Sequence, residues 1–246
     1  MLESVRNTLR ILKSYSREKP VLRVVELSRD LQIEKSSVSR ILSTLAAEGF
    51  VVKDKASRGY RLGPSSLRLG TAYPFSHEIC SLARPVLREL SEKIGETVQL
   101  GILDDMKVLF IESFESKHPL RIISSVGSYH PLHCSSPGKV LLAYQDESMV
   151  DEVIRKGLKP WTSKTITDGG KFKEEICKVR QQGYAFSAEE MYEGVLSIGV
   201  PVRDHMDQVV AAINVVGPIE RMMRSGVDRT IRHLMRAAQD ISEDLL

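Results

Sequence analysis

Arg40 is the residue of this chain best suited by type and surroundings to recognition chemistry. An arginine presents a planar fork of donors that matches the O6 and N7 edge of guanine in the major groove of DNA. It stands in the run IEKSSVSRILSTLAAEGF, residues 33–50, among Lys35, Ser36, Ser37, Ser39, Ser43 and Thr44. Hydroxyls of this kind reach phosphates or base edges, or simply solvate and cap a helix. A second cationic group, Lys53, Lys55, Arg58 and Arg61, suits phosphate, which adds affinity without sequence information. Farther on, Ser135-Ser136-Pro137-Gly138 precedes the apolar run Val140-Leu141-Leu142-Ala143. Backbone N–H groups and hydroxyls at such a helix start favour an anion. They suit ordinary capping by Ser135 or Ser136 equally well. His130, His133 and Cys134 spell H-x-x-H-C. A structural zinc site needs a fourth ligand, and none stands nearby in sequence. Nothing marks an orienting acid or an oxyanion hole for Cys134 with His133. The trio therefore reads as a loop lining a pocket. No catalytic residue, metal or cofactor is assigned.

These groups need elements to hold them. Val38, Ile41, Leu42 and Leu45 recur at i, i+3, i+4 and i+7, one apolar stripe of a helix. Ser36, Arg40, Ser43 and Ala47 then fall on the opposite face, small and polar with one long cation. Ser36 is expected to cap the start, and Gly49 to close the end in left-handed geometry. Residues 24–31 form a shorter amphipathic helix ahead of it, joined by Gln32-Ile33-Glu34. Helix, tight turn and second helix with a polar outer face is the helix-turn-helix layout. A first helix is expected over 3–16, with Val5, Leu9, Leu12 and Tyr15 inward, ended by Glu18-Lys19-Pro20. Strands over 50–53 and 60–62 around a turn at 54–59 complete a winged helix.

Gly63-Pro64 breaks the pattern. A linker helix is expected over 65–73, stopped by Pro74, then helices over 77–82 and 85–94. From Thr97 the period shifts to strands, at 97–103, 107–112, 120–123, 184–187, 195–202 and 209–216. Helices are expected at 138–144, 148–155, 171–182 and 227–246, with Thr167 or Asp168 capping the third and Gly183 stopping it. The fold class is α+β: a winged helix-turn-helix over 1–63, a linker helix over 64–76, and an α/β domain with a largely antiparallel sheet over 77–246.

Charge divides along the same line. Residues 1–63 hold 13 Lys and Arg against 7 Asp and Glu, while residues 64–246 hold 22 against 25. A basic headpiece on a slightly acidic body points the first segment at a polyanion. Three widely spaced cysteines fit a reduced, cytoplasmic setting. No apolar run is long enough to span a bilayer, and the opening MLESVRNTLRILK lacks the apolar core of a secretory signal.

Taken together, these motifs resemble the IclR family of bacterial transcription regulators over nearly the whole chain. The resemblance rests on the S-S-V-S-R-I-L-x-T-L-x-x-x-G-F run at 36–50 and on GPSSLRLG at 63–70. It rests also on VGSYHPLHCSSPGK at 126–139, GYAFSAEE at 183–190, GVLSI at 194–198 and AAINVVGP at 211–218. The resemblance implies a GAF-like effector domain behind the winged helix, and dimers, also paired into tetramers, on partly palindromic double-stranded operators. It implies a small-molecule effector, commonly a carboxylate, and a pocket at Ile122, Ser136, Pro137, Ser187, Val195, Ser197, Asn214 and Val216. Ser187 stands where many members carry Asp, Pro137 where the residue is usually small, and Asn214 and Val216 where small residues or serines are common. An effector identity therefore does not transfer. The expected function is a sequence-specific regulator, a repressor rather than an activator. The alternative is a small-molecule enzyme or carrier that uses its winged helix to dimerise.

Overall fold

The computed structural model describes residues 2–16, 19–72 and 74–245, and the side chains of all of these except 74–77. Glu18, Tyr73 and Leu246, named above at element ends, lie outside the described residues. The chain divides into two compact units, Met1–His77 and Glu78–Leu246.

In the first unit, helices α1 (Glu3–Leu12), α2 (Val24–Leu31) and α3 (Lys35–Ala47) surround a core of Ile11, Leu27, Ile33, Val38, Leu42 and Leu45. Gln32 takes the left-handed conformation that turns α2 into α3. Ser28 then closes the turn by donating from Oγ to the Ile33 carbonyl at 2.6 Å. Strands β2 (Val51–Lys53) and β3 (Tyr60–Leu62) form the expected hairpin. A two-residue strand that the sequence pattern did not signal, β1 (Val21–Leu22), adds to the free side of β3. Helix α4 (Pro64–Thr71) follows.

Two expectations fail here. Helix α1 stops at Leu12, and its core residue is Ile11, while Val5 and Leu9 stay exposed. Of the expected stripe, Leu12 and Tyr15 pack against the core, and Val5 and Leu9 do not. Ser36 does not cap α3. The helix starts two residues earlier than a Ser36 cap implies, Glu34 occupies the cap position without a side-chain bond, and Ser36 lies exposed in the first turn. Gly49 does close α3 with φ at +74°.

The second unit is a three-layer sandwich. Its six strands run in the order β6 (Tyr129–Pro131), β5 (Lys107–Phe114), β4 (Thr97–Asp104), β9 (Val209–Pro218), β8 (Val195–Arg203), β7 (Ala185–Ala188). Every pairing is antiparallel. On one face α5 (Pro74–Ile94) and α10 (Val227–Asp244) pack against Val98, Leu100, Ile198, Val200, Ile213 and Val215. On the other face lie α6 (Ser136–Ala143), α7 (Glu147–Lys156) and α8 (Gly169–Gln182). Successive strand residues point to opposite faces. The alternation that buries Val98, Ile198 and Val215 under α5 and α10 therefore aims Gln99, Ser197 and Asn214 at α6.

Three further expectations are corrected. Pro74 does not stop a helix but begins one, and 77–82 with 85–94 is a single helix containing Pro85. Ile79, Ala83, Leu87 and Leu90 keep one unbroken buried stripe through it, while Pro85 sits on the exposed side, where the lost N–H is tolerated. Residues 120–123 form no strand; Leu120 and Ile123 are exposed, and the ladder partner of β5 is β6. A short helix, α9 (Ile219–Ser225), follows β9 where none was expected.

Helix α6 rests almost directly on β8. A Cβ added at Gly199 would lie 2.9 Å from the Ser136 carbonyl carbon and 3.1 Å from the Pro137 nitrogen. Gly199→Ala is therefore expected to push α6 outward and destabilise the second unit by about 1–3 kcal/mol, read as a lower urea midpoint of that unit's transition.

Candidate functional sites

In the first unit, burial of Val38, Leu42 and Leu45 forces the opposite face of α3 outward. Lys35, Ser36, Ser39, Arg40, Ser43 and Thr44 are exposed and Ser37 is half-buried. Arg40 makes a long contact of 3.5 Å to Ser37 Oγ and is paired with no carboxylate among the described residues. Thr44 is partly committed, donating from its hydroxyl to the Arg40 carbonyl at 3.1 Å. At the hairpin tip, Asp54 accepts from the backbone and hydroxyl of Ser57 at 2.8 and 2.7 Å. These bonds hold the Asp54 carboxyl below the usual carboxylate range. The pinned turn presents Lys53, Lys55, Arg58 and Arg61 to solvent. The unit thus offers a helix face with small hydroxyls and one free arginine, beside a cationic wing.

The second unit encloses a cavity of about 40 Å³ between the sheet and the start of α6. Seven of the eight positions named from sequence line it: Ile122, Pro137, Ser187, Val195, Ser197, Asn214 and Val216. The eighth, Ser136, is fully buried and hydrogen-bonds Ser197 Oγ at 2.6 Å. The sequence did not point to Gln99, Phe110, Ser124, Met191 and Tyr192, which also line it. Gln99 was detectable, as the polar residue between Val98 and Leu100 in an otherwise apolar strand.

The cavity wall is mainly apolar, with Phe110, Ile122, Val195 and Val216, set with a few polar side chains and, among the described residues, no Asp, Glu, Lys or Arg. Asn214 donates to Gln99 Oε1 at 3.1 Å and contacts Ser197 Oγ at 3.4 Å. Its own Oδ1 is buried without a partner among the described residues. Neither serine caps α6: Ser135 Oγ donates to the Pro131 carbonyl at 2.6 Å, and Ser136 is engaged with Ser197. The backbone N–H groups of Ser136 and Gly138 in the first turn of α6 thus receive no side-chain cap, and Pro137 between them has no N–H to satisfy. Burial lowers the His130 imidazole to about 4, so the ring is neutral at ordinary pH. Its plane meets Phe110 edge-on at 4.9 Å.

His133 bonds the Lys159 carbonyl at 3.0 Å, and Cys134 is wholly buried. Burial pushes the Cys134 thiol up to about 12, the opposite of what a nucleophile requires. The three residues of H-x-x-H-C thus face different surroundings, with His130 on the cavity wall.

Helix-turn-helix headpiece and sheet cavity are the parts of a ligand-responsive DNA-binding protein. The chain matches the IclR helix-turn-helix domain over residues 4–55 and the bacterial transcriptional regulator IclR C-terminal domain over residues 71–243. It is 33% identical to the glycerol operon regulatory protein of Streptomyces coelicolor, covering 99% of this chain and 95% of that one. A crystal structure of an IclR transcriptional regulator from Alicyclobacillus acidocaldarius superposes with a TM-score of 0.88 at 29% identity, covering 100% of both chains. An IclR homolog from Microbacterium hydrocarbonoxydans, complexed with 4-hydroxybenzoate, shares the fold with a TM-score of 0.89 at 23% identity, over 99% of each chain. The protein belongs to the IclR family of bacterial transcription regulators. It is a DNA-binding regulator and not an enzyme, so the enzyme alternative falls. Among the described residues no helix is long and apolar enough to cross a membrane.

The amide pair in the cavity wall gives a test of its own. Asn214→Ala strips Gln99 of its donor and is expected to cost about 1–3 kcal/mol in urea unfolding. The Gln99→Ala/Asn214→Ala double variant should lose less than the sum of the single losses. Additive losses would show that the two amides are not coupled.

Proposed function

We propose that the protein is a cytoplasmic repressor that binds its operator as a homodimer and is controlled by a small organic acid held in the second unit's cavity. The observation that carries this reading is the cavity itself. Residues distant in sequence converge there on one largely apolar space with a few polar groups at the start of a buried helix, with an unpartnered amide oxygen in its wall. Free backbone donors favour a carboxylate. The Asn214 oxygen asks for a donor, such as a hydroxyl on the same molecule. The 4-hydroxybenzoate complex of the Microbacterium protein supports the chemistry, since that molecule carries both groups.

On the DNA side, Arg40 is assigned to base readout. Lys35, Ser36, Ser37, Ser39, Ser43 and Thr44 contact groove and phosphate, and Lys55, Arg58 and Arg61 of the wing hold the adjacent backbone. Dimerisation is supported by α1 and its flanking residues, where Leu2, Val5 and Leu9 form an exposed apolar row beside Arg6, Arg10 and Lys13. A second copy would cover that row. Two dimers could then pair on a longer operator.

Fluorescence anisotropy on the DNA upstream of the protein's own gene tests the reading. Arg40→Ala is expected to weaken specific binding by about 1–3 kcal/mol. Lys55→Ala should weaken operator and scrambled DNA alike and lower the salt slope by about 1. Wild-type protein that prefers no segment of that DNA over scrambled sequence would count against it. In a thermal-shift screen of small acids, a true effector at 100 times its Kd adds about 2.7 kcal/mol of stability.

A further inference from the structure

The cavity of about 40 Å³ has room for little more than a water or two. Ligand sites for small molecules begin near 300 Å³. Occupancy therefore requires a wall to move. Strands β4, β5, β8 and β9 are fixed in the ladder, and α6 is buried along its whole length. Ile122 and Ser124, outside the ladder, are tied back to β4 through their carbonyls, by Thr97 Oγ1 at 2.8 Å and Gln99 Nε2 at 3.5 Å. Met191 and Tyr192 are different. They sit on the 189–194 connection between β7 and β8, half-buried and exposed respectively, and they form the roof. His130 and Met191 also line an open groove of about 370 Å³ on the far side, so the partition there is one side chain thick.

The ends of this segment are tied by Glu189, which pairs with Lys164 and accepts from the Gly194 N–H at 2.9 Å. The hold from beneath is a buried charge. Lys139 of α6 is 1% exposed, and its ammonium donates to Glu190 at 2.6 Å, to the Phe186 carbonyl at 3.0 Å and to Glu175 of α8 at 3.1 Å. Glu190 immediately precedes Met191. Thr162 and Thr165 reinforce the same segment by donating to the carbonyls of Glu189 and Glu190, each at 2.6 Å. Lys139 lies one helical turn from Ser136, so a single turn of α6 carries both the cavity wall and the anchor of its roof. The anchor is incomplete: Glu190 Oε2 is buried with no partner among the described residues. An ion pair in the interior repays its desolvation only when its remaining hydrogen-bonding capacity is met.

We propose that the Lys139–Glu190 pair is a latch that positions the 189–194 roof and sets how often the effector cavity opens. The proposal rests on the assignment of this cavity as the effector site, and the two are separable by experiment. The full chain is prepared with Cys177→Ser, which removes its exposed thiol, and Ser197→Cys, which places a thiol in the cavity wall. Labelling by a small methanethiosulfonate is followed at each cysteine by mass spectrometry. Adding Lys139→Met is expected to speed labelling at position 197 on the order of tenfold or more, since the rate follows the open population. The rate at Cys80, buried under the sheet's other face, should not change.

Equal acceleration at both cysteines would mean that the pair merely supports the domain, and would overturn the latch. So would no acceleration at 197. If Lys139→Met fails to fold, Glu190→Gln keeps the size of the side chain, removes its charge and is read the same way. Protection of position 197 by 4-hydroxybenzoate, or by another acid that raises the melting point, tests the site assignment separately. Selective acceleration without protection by any such acid supports the latch and counts against the effector reading.

Discussion

The complete burial of α6 is the constraint on which the second unit depends. All eight of its residues lie out of solvent, including a lysine. A helix without a wet face must settle every polar group it carries against protein. Its charge is met by Glu190, Glu175 and the Phe186 carbonyl. Its seat is cut by glycines: a Cβ at Gly138 would strike Leu132, and one at Gly199 would strike Ser136. Its first turn, left uncapped by serine side chains, sets Pro137 in the cavity wall. The features that make the site recognisable are thus consequences of packing a polar-ended helix onto a sheet.

The first unit follows a simpler rule. Its buried stripe consumes one face of α3 and leaves the other, with Arg40 and its serines, to solvent. The described side chains of that face make only local contacts, Thr44 to the Arg40 carbonyl and Arg40 to Ser37. Regulation needs only that a ligand in one unit alter the free energy of DNA binding by the other. Such coupling is worth typically 1–3 kcal/mol and is reciprocal.

The helix periods, the wing and the strand alternation were legible in the sequence because each is local. The pocket positions were legible only through resemblance, since Ser136, Ser187 and Asn214 are brought together by sheet register. Lys139 was not legible. In S-S-P-G-K-V-L-L-A it looks like a surface lysine, and the two carboxylates that neutralise it stand 36 and 51 residues away. The strand expected at 120–123 was misread because an apolar run says nothing of whether a partner edge is free; β6 takes that edge instead. Pro85 misled for the converse reason: an exposed proline interrupts a helix's hydrogen bonds without interrupting its packing.

The account's central claim is that the cavity and the DNA face are thermodynamically linked. The direct measurement is a pair of titrations of the full chain, operator affinity with and without saturating acid, and acid affinity with and without saturating operator. The account predicts the same factor, roughly 5–150-fold, in both directions. An acid that binds in the cavity yet leaves operator affinity unchanged would contradict it.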